Sequence, residues 1–238
     1  MTDLLYQTDS YLREFFATAT IFDDENKAVI LDRSAFYPGG GGQPCDFGKI
    51  KVEELEIPVV KVKKLGDDVH HFISEGFSLK PGTQINAEID WDRRFKLMRT
   101  HSALHVLCGV VFRDYGALVT GGDMEPLAGR MDFEFERMQA DLVREIEASV
   151  NKEVEAARDI IVNILPREEA FKIPDLIRTK INLLPEGIKN VRTVEITGLD
   201  LQADGGTHVS NTKEIGRIRV VDYKSKGAIN KRLYIVIE

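Results

Sequence analysis

Three of the five histidines in this 238-residue chain stand where one metal ion could gather them. His101 and His105 are four residues apart; on a helix, both imidazoles share one face and can reach a single ion. His208 ends the run Asp204-Gly205-Gly206-Thr207-His208, in which two glycines permit a tight turn that swings a carboxylate and an imidazole toward a common point. A lone pair at i, i+4 is ordinarily two core or surface side chains; the third histidine, in such a turn, moves the reading to zinc. Three neutral imidazoles leave a fourth position for water or substrate, the layout of a catalytic rather than a closed zinc site. The expectation is one Zn2+ per chain on His101, His105 and His208. His70 and His71 are adjacent on a predicted strand, point to opposite faces and cannot grip one ion, so structural roles are assigned to both.

Those residues need elements to hold them. From Trp91 to Tyr115, apolar residues recur at helical spacing, with Asp90 able to cap the start and Gly116 to end it. This is the helix that would carry His101 and His105. Before it, Ala17–Phe22, Lys27–Leu31, Lys49–Val52, Val59–Val62, Val69–Ile73 and Gln84–Ile89 read as short strands broken by Gly, Pro and Asp, which suggests a small antiparallel barrel. After it, helices are predicted over Met138–Arg158 and from Pro166 to a break at Pro174. Strands follow at Val191–Ile196, Ile215–Asp222 and Leu233–Ile237. The fold class expected is α+β: a barrel domain over 1–90, then a domain over 91–238 with helices packed on an antiparallel sheet.

Beyond the histidines, several segments carry a resemblance. Arg99-Thr100-His101-Ser102-Ala103-Leu104-His105, followed by Asp204-Gly205-Gly206-Thr207-His208-Val209, resembles the paired zinc motifs of the alanyl-tRNA synthetase editing domain. Gly121 to Phe135, Ser210 to Gly216 and the basic turn Lys226 to Arg232 are similar to further stretches of that family. Phe36-Tyr37-Pro38-Gly39-Gly40-Gly41-Gly42-Gln43-Pro44 is similar to the glycine-rich loop of the barrel that precedes it. Nothing resembles an aminoacylation domain, so the chain looks like a free-standing AlaX protein of medium length. The resemblance implies hydrolysis of the ester in tRNA(Ala) mischarged with serine, with glycine as a second candidate. It departs from the family at Asp204, where the synthetase has a cysteine ligand. Asp204 is taken as the catalytic carboxylate, either a fourth ligand or the group that holds water. Thr100, Thr207 and Gln43 are the candidate readers of a serine hydroxyl, and Gly41 and Gly42 could bring backbone N–H groups close to the substrate. The motifs leave open a non-catalytic tRNA-binding module with a structural zinc, and a zinc hydrolase of small esters.

Composition narrows the partners. Net charge is −7, so bulk charge does not coat nucleic acid and any RNA surface must be local. Arg93, Arg94, Lys96 and Arg99 crowd the first turns of the histidine helix, and basic residues outnumber acids from Lys213 to Arg232. Arg93, Arg94, Lys231 and Arg232 are the expected tRNA contacts. No membrane or DNA partner is expected. With only Cys45 and Cys108 there is no disulfide framework, and a soluble, cytoplasmic protein is expected. Cys108 is read as a small buried hydrophobe.

Overall fold

The computed structural model describes residues 1–136, 138–179, 184 and 187–238. The chain divides into two compact units, Met1–Phe95 and Lys96–Glu238. The first opens with β1 (Asp3–Leu4) and continues through β2 (Glu14–Asp23), β3 (Ala28–Leu31), β4 (Arg33–Ser34), β5 (Gly48–Val52), β6 (Leu55–Leu65), β7 (Asp68–Ile73) and β8 (Gln84–Ile89). Six of these close an antiparallel barrel in the order β2-β3-β7-β6-β5-β8, and β1 pairs in parallel with β4. Closure removes the exposed edges that short strands would otherwise present. Alternation puts one set of side chains inside: Val69, His71 and Ile73 from β7, Ile85, Ala87 and Ile89 from β8, and Ile50 and Ile57 from β5 and β6 are all buried. Each large aliphatic side chain so placed stabilises the unit by roughly 1.5–3 kcal/mol.

His71 therefore faces inward, while its neighbour His70 is partly exposed. Its Nδ1 lies 3.0 Å from the Val29 carbonyl and its Nε2 2.7 Å from Ser34 Oγ. A carbonyl only accepts, so Nδ1 carries the proton and Nε2 accepts from the serine. Burial pushes this imidazole down to about 4.

The helix α1 (Trp91–Tyr115) has the predicted limits. Asp90 caps it, its Oδ1 accepting the Arg93 N–H at 3.1 Å, and Gly116 closes it in the left-handed region at φ +66°. From Leu97 to Val111 it is buried at every position but Arg99, and Thr100, His101, Ser102 and His105 are polar groups within that buried stretch. It is followed by β9 (Val119–Glu125), β10 (Ala128–Glu134), α2 (Ala140–Glu155), β11 (Ile160–Pro166), α3 (Arg167–Ala170), β12 (Asn190–Ile196), β13 (Asp200–Ala203), β14 (Ile218–Ser225) and β15 (Asn230–Ile237). Two antiparallel sheets result, β14-β15-β10-β9 and β11-β12-β13. The α2 helix covers the edge of the larger sheet. Asn151 bonds both the N–H and the carbonyl of Ile218, and Glu147 accepts the N–H of Val220, satisfying backbone groups that β14 would otherwise leave bare.

The α+β architecture with an N-terminal barrel is as expected, and some elements differ. The predicted helix over 138–158 is shorter, ending where Ala157 turns to φ +50°. The stretch after Pro166 holds only one helical turn. The strand expected from Ile215 starts at Ile218, because Asn211 and Glu214 form a capping box that winds Thr212–Ile215 into a short 3₁₀ turn. The β9–β10 hairpin, β11 and β13 were not among the predicted strands; Gly121, Gly122 and Gly129 weaken the strand pattern of the hairpin.

Candidate metal centre

Two structural devices assemble the centre within the second unit. On α1, His101 and His105 project from successive turns, and their rings meet edge to face with centroids 4.9 Å apart. The turn after β13 supplies the rest. Asp204 Oδ2 accepts the Gly206 N–H at 2.6 Å, which bends the chain so that His208 comes back beside its own turn. The His208 ring stacks on His101 at 4.2 Å and lies 4.6 Å from His105. His101, His105, Asp204 and His208 each offer a ligand atom, and these atoms all lie within 4.8 Å of one another. Asp204 sits among them: Oδ1 is 3.5 Å from His101 Nε2 and 3.8 Å from His105 Nε2, and Oδ2 is 3.0 Å from His208 Nε2. A tetrahedron with bonds of about 2.1 Å has edges of about 3.4 Å, so these separations suit one ion.

Electrostatics agree with that donor set. Burial drives His101 well below its ordinary value and His208 down to about 4, so both rings are neutral near pH 7 and have lone pairs to offer. Burial alone would raise the Asp204 carboxyl, but His101 and the contacts from His105 and His208 hold it well below the usual carboxylate range. Ser102 Oγ accepts the Val209 N–H at 3.2 Å and lies 3.1 Å from His208 Nδ1. For Nε2 to present a lone pair the ring proton must sit on Nδ1, where Ser102 is placed to receive it. Three buried imidazoles packed around a partly buried carboxylate are a donor set that could hold a metal ion.

Sequence reasoning missed Arg192. This arginine of β12 is buried beside the centre, its Nη1 3.0 Å from the Asp204 carbonyl and 3.6 Å from Asp204 Oδ2. The Asp204 N–H in turn donates to the Arg192 carbonyl. A cation in the middle of an apolar strand, Val191-Arg192-Thr193-Val194, was the available signal.

Other expected site residues are placed differently. Thr207 is fully buried in the turn next to His208. Thr100 is also buried, but its hydroxyl donates toward the Lys96 and Glu125 carbonyls and accepts the Leu127 N–H, pinning the β9–β10 turn to α1. Its one proton is committed to those carbonyls and one lone pair to Leu127, which removes it as a donor to a substrate hydroxyl, a first correction. Gly41, Gly42 and Gln43 lie at the tip of a loop in the first unit, where Gln43 is buried. Of the expected tRNA contacts, Arg93 is partly exposed and stacks on Phe47 with its guanidinium 4.1 Å from the ring centroid. Arg232 forms a two-pronged pair with Asp132 at 2.6 and 2.7 Å. Lys231 is buried, its ammonium held by the Gly227 and Ala228 carbonyls at 2.8 Å each. Arg94 is fully buried against Asp46. Lys231 and Arg94 therefore present no charge to a phosphate, a second correction. Cys108 is buried and its thiol pushed up by that burial, so it is inert.

Comparison with known proteins gives a consistent set. Residues 9–93 match the family "tRNA synthetases class II (A)", and residues 191–234 match "Threonyl and Alanyl tRNA synthetase second additional domain". The alanyl-tRNA editing protein AlaX-M of Saccharolobus solfataricus is 39% identical over 242 residues, covering 100% of both chains. AlaX-M of Methanosarcina acetivorans is 38% identical over 244 residues, covering 100% of this chain and 99% of that protein. The alanine–tRNA ligase of Ignicoccus hospitalis is 36% identical over 226 residues, which are 92% of this chain and 24% of the ligase.

Proposed function

The chain belongs to the AlaX-M family of alanyl-tRNA editing proteins, and from that premise we propose that it hydrolyses the ester of tRNA(Ala) mischarged with serine, with glycine as a second substrate, at a zinc site. The observation that carries the reading is the donor set of buried His101, His105 and His208 with partly buried Asp204. When bound, a zinc ion supplies Lewis-acid polarisation of water or of the substrate at its open position.

The chain's own residues do the rest. His101 and His208, neutral by burial, hold the metal together with His105, and Ser102 fixes the ring of His208. Asp204, ionised and oriented by the Gly206 N–H and by Arg192, either completes the donor set or holds the attacking water. An aminoacyl ester is already activated, so orientation and modest electrostatic help suffice. Selectivity has to run against size, because alanine is smaller than serine. A pocket that hydrogen-bonds the serine hydroxyl leaves its own buried polar groups unpaired when alanine enters. Thr207 and Gln43 remain the candidate readers, with Gly41 and Gly42 as backbone contacts, and Arg93 and Arg232 remain the candidate phosphate contacts.

The test is deacylation of Ser-, Gly- and Ala-charged tRNA(Ala) by the purified protein. Fast loss of serine with alanine retained supports the reading. Equal rates on serine and alanine contradict it, and activity on free serine esters without tRNA would point to a general esterase.

A further inference from the structure

The first unit holds four arginines, Arg13, Arg33, Arg93 and Arg94. Two of them meet acids: Arg33 lies 3.6 Å from Asp32, and Arg94 is buried against Asp46. Arg13 and Arg93 do not. Among the described residues neither has a carboxylate partner, and each guanidinium lies instead on an aromatic ring. Arg13 covers Trp91 and Arg93 covers Phe47, both at 4.1 Å from the ring centroid.

The backbone sets the two pairs side by side. Consecutive residues at the end of β8 hold both: the Ile89 N–H donates to the Arg13 carbonyl and the Asp90 N–H to the Phe47 carbonyl, each at 2.9 Å. Trp91 follows directly and stacks on Phe95 with centroids 5.6 Å apart, while Tyr11 packs against it at 5.8 Å. Arg13 and Phe47 are exposed, and Arg93 is partly so. Arg93 donates its Nε–H to the Cys45 carbonyl at 3.3 Å, which fixes the guanidinium further. All of these residues lie within the first unit.

A guanidinium laid flat on a ring keeps its full charge and its N–H edge, the part that matches the oxygens of a phosphate. A carboxylate partner would cancel that charge, as it does at Arg33 and Arg94. Two neighbouring cations left uncancelled in a chain of net charge −7 make a local positive surface, which is what an acidic protein needs in order to bind RNA. We propose that Arg13 on Trp91 and Arg93 on Phe47 form a phosphate-binding surface of the first unit that grips the backbone of tRNA. The identity of the RNA rests on the editing reading. Stacking holds each guanidinium in place before RNA arrives, so less side-chain freedom is lost on binding. Phosphate contacts carry no sequence information, so this surface adds affinity and leaves the choice of tRNA to other residues.

Trp91 is the single tryptophan of the chain, so its fluorescence reports on this surface alone. The experiment titrates uncharged tRNA(Ala) into the whole protein and follows Trp91 emission, with affinity measured by filter retention between about 50 and 200 mM salt. Wild type is compared with Arg13→Ala, Arg93→Ala, Arg13→Lys and Arg33→Ala. The expected result is a saturable change in wild-type emission that tracks binding. Arg13→Ala and Arg93→Ala should each weaken binding about fivefold and reduce the salt slope by about one, a change that a merely structural role would not produce. Arg13→Lys should keep the slope, and Arg33→Ala should alter neither quantity. The proposal is overturned by unchanged slopes in both alanine variants, by silent Trp91 emission while tRNA binds, or by an equal effect of Arg33→Ala, which would assign binding to general charge. The wild-type emission needs no variant, so a variant that does not fold cannot hide the answer. Binding of tRNA with unchanged slopes removes this surface and leaves the editing reading standing, whereas a wild type that binds no tRNA removes both.

Discussion

In the glycine loop of the first unit each closure joins a donor to an acceptor: Arg94 to Asp46, Tyr37 Oη to the Gly40 carbonyl, Gly40 to Gln43. At the histidine cluster of the second unit the pattern is reversed. Three buried rings turn their Nε2 atoms and a carboxylate toward one another, so lone pairs gather at one point wherever a ring carries its proton on Nδ1. The Nδ1 of His105, buried on the other side of its ring, has no hydrogen-bond partner among the described residues. A loop satisfied by its own hydrogen bonds is complete as folded. A gathering of lone pairs becomes complete when a cation sits among them. The first is therefore sensitive to changes in packing and backbone, and the second to metal.

The sharpest way to break that contrast is His105→Ala. It should remove most bound zinc and lower deacylation by more than about 100-fold, beyond the roughly 10–100-fold typical of losing only a ligand's outer-shell partner, while the barrel stays folded by circular dichroism. Full metal occupancy in the variant would remove His105 from the site.

Acid separates two kinds of buried histidine. His71 has a folded value of about 4 against 6.5 when exposed, so the unfolded chain takes up its proton first. Stability from this group is complete above pH 6.5 and is lost as the pH falls from about 6.5 to 4, by about 3 kcal/mol in all. Urea unfolding against pH measures it, and imidazole nitrogen shifts should show His71 neutral, protonated at Nδ1, down to about pH 5. A His71 signal titrating near pH 6.5 would contradict the buried assignment.

Two threonines sharpen the comparison further. Thr207→Val should narrow the serine-to-alanine ratio of kcat/KM by about tenfold, the worth of one buried hydrogen bond. Thr100→Val should lower the melting temperature and leave the ratio alone, since its hydroxyl already serves Lys96, Glu125 and Leu127. The opposite assignment of effects would reverse their roles. The smallest effect is expected at the surface. Arg232→Ala should raise KM a few-fold and flatten the salt dependence of tRNA binding, whereas Lys231→Ala should loosen the 226–230 turn with an unchanged salt slope.

Much of this was legible in the residues. The limits of α1 follow from Asp90 and Gly116, the barrel strands from their alternation, and the clustering of His101, His105, Asp204 and His208 from the i, i+4 pair and a glycine turn. What the sequence hid was long-range pairing. Arg93 and Arg94 are adjacent and chemically identical, yet only Arg94 meets a buried carboxylate, 48 residues away in the chain. Local charge density cannot tell an arginine that reads RNA from one that closes a loop. Lys231 was hidden similarly, by two carbonyls of its own turn, and Thr100 by a hairpin whose glycines masked its strands. Arg192 shows the converse: a lone cation in an apolar strand has a buried partner, but which one depends on where β13 delivers Asp204.

The central claim is that His101, His105, His208 and Asp204 form a single zinc centre on which editing depends. Its most direct test strips the protein with a chelator, titrates zinc back and follows deacylation of Ser-tRNA(Ala) at each step. The account predicts activity absent without metal, rising linearly and reaching its plateau at one zinc per chain. Full activity in the stripped protein, or a plateau reached with no zinc at these four residues, would contradict it.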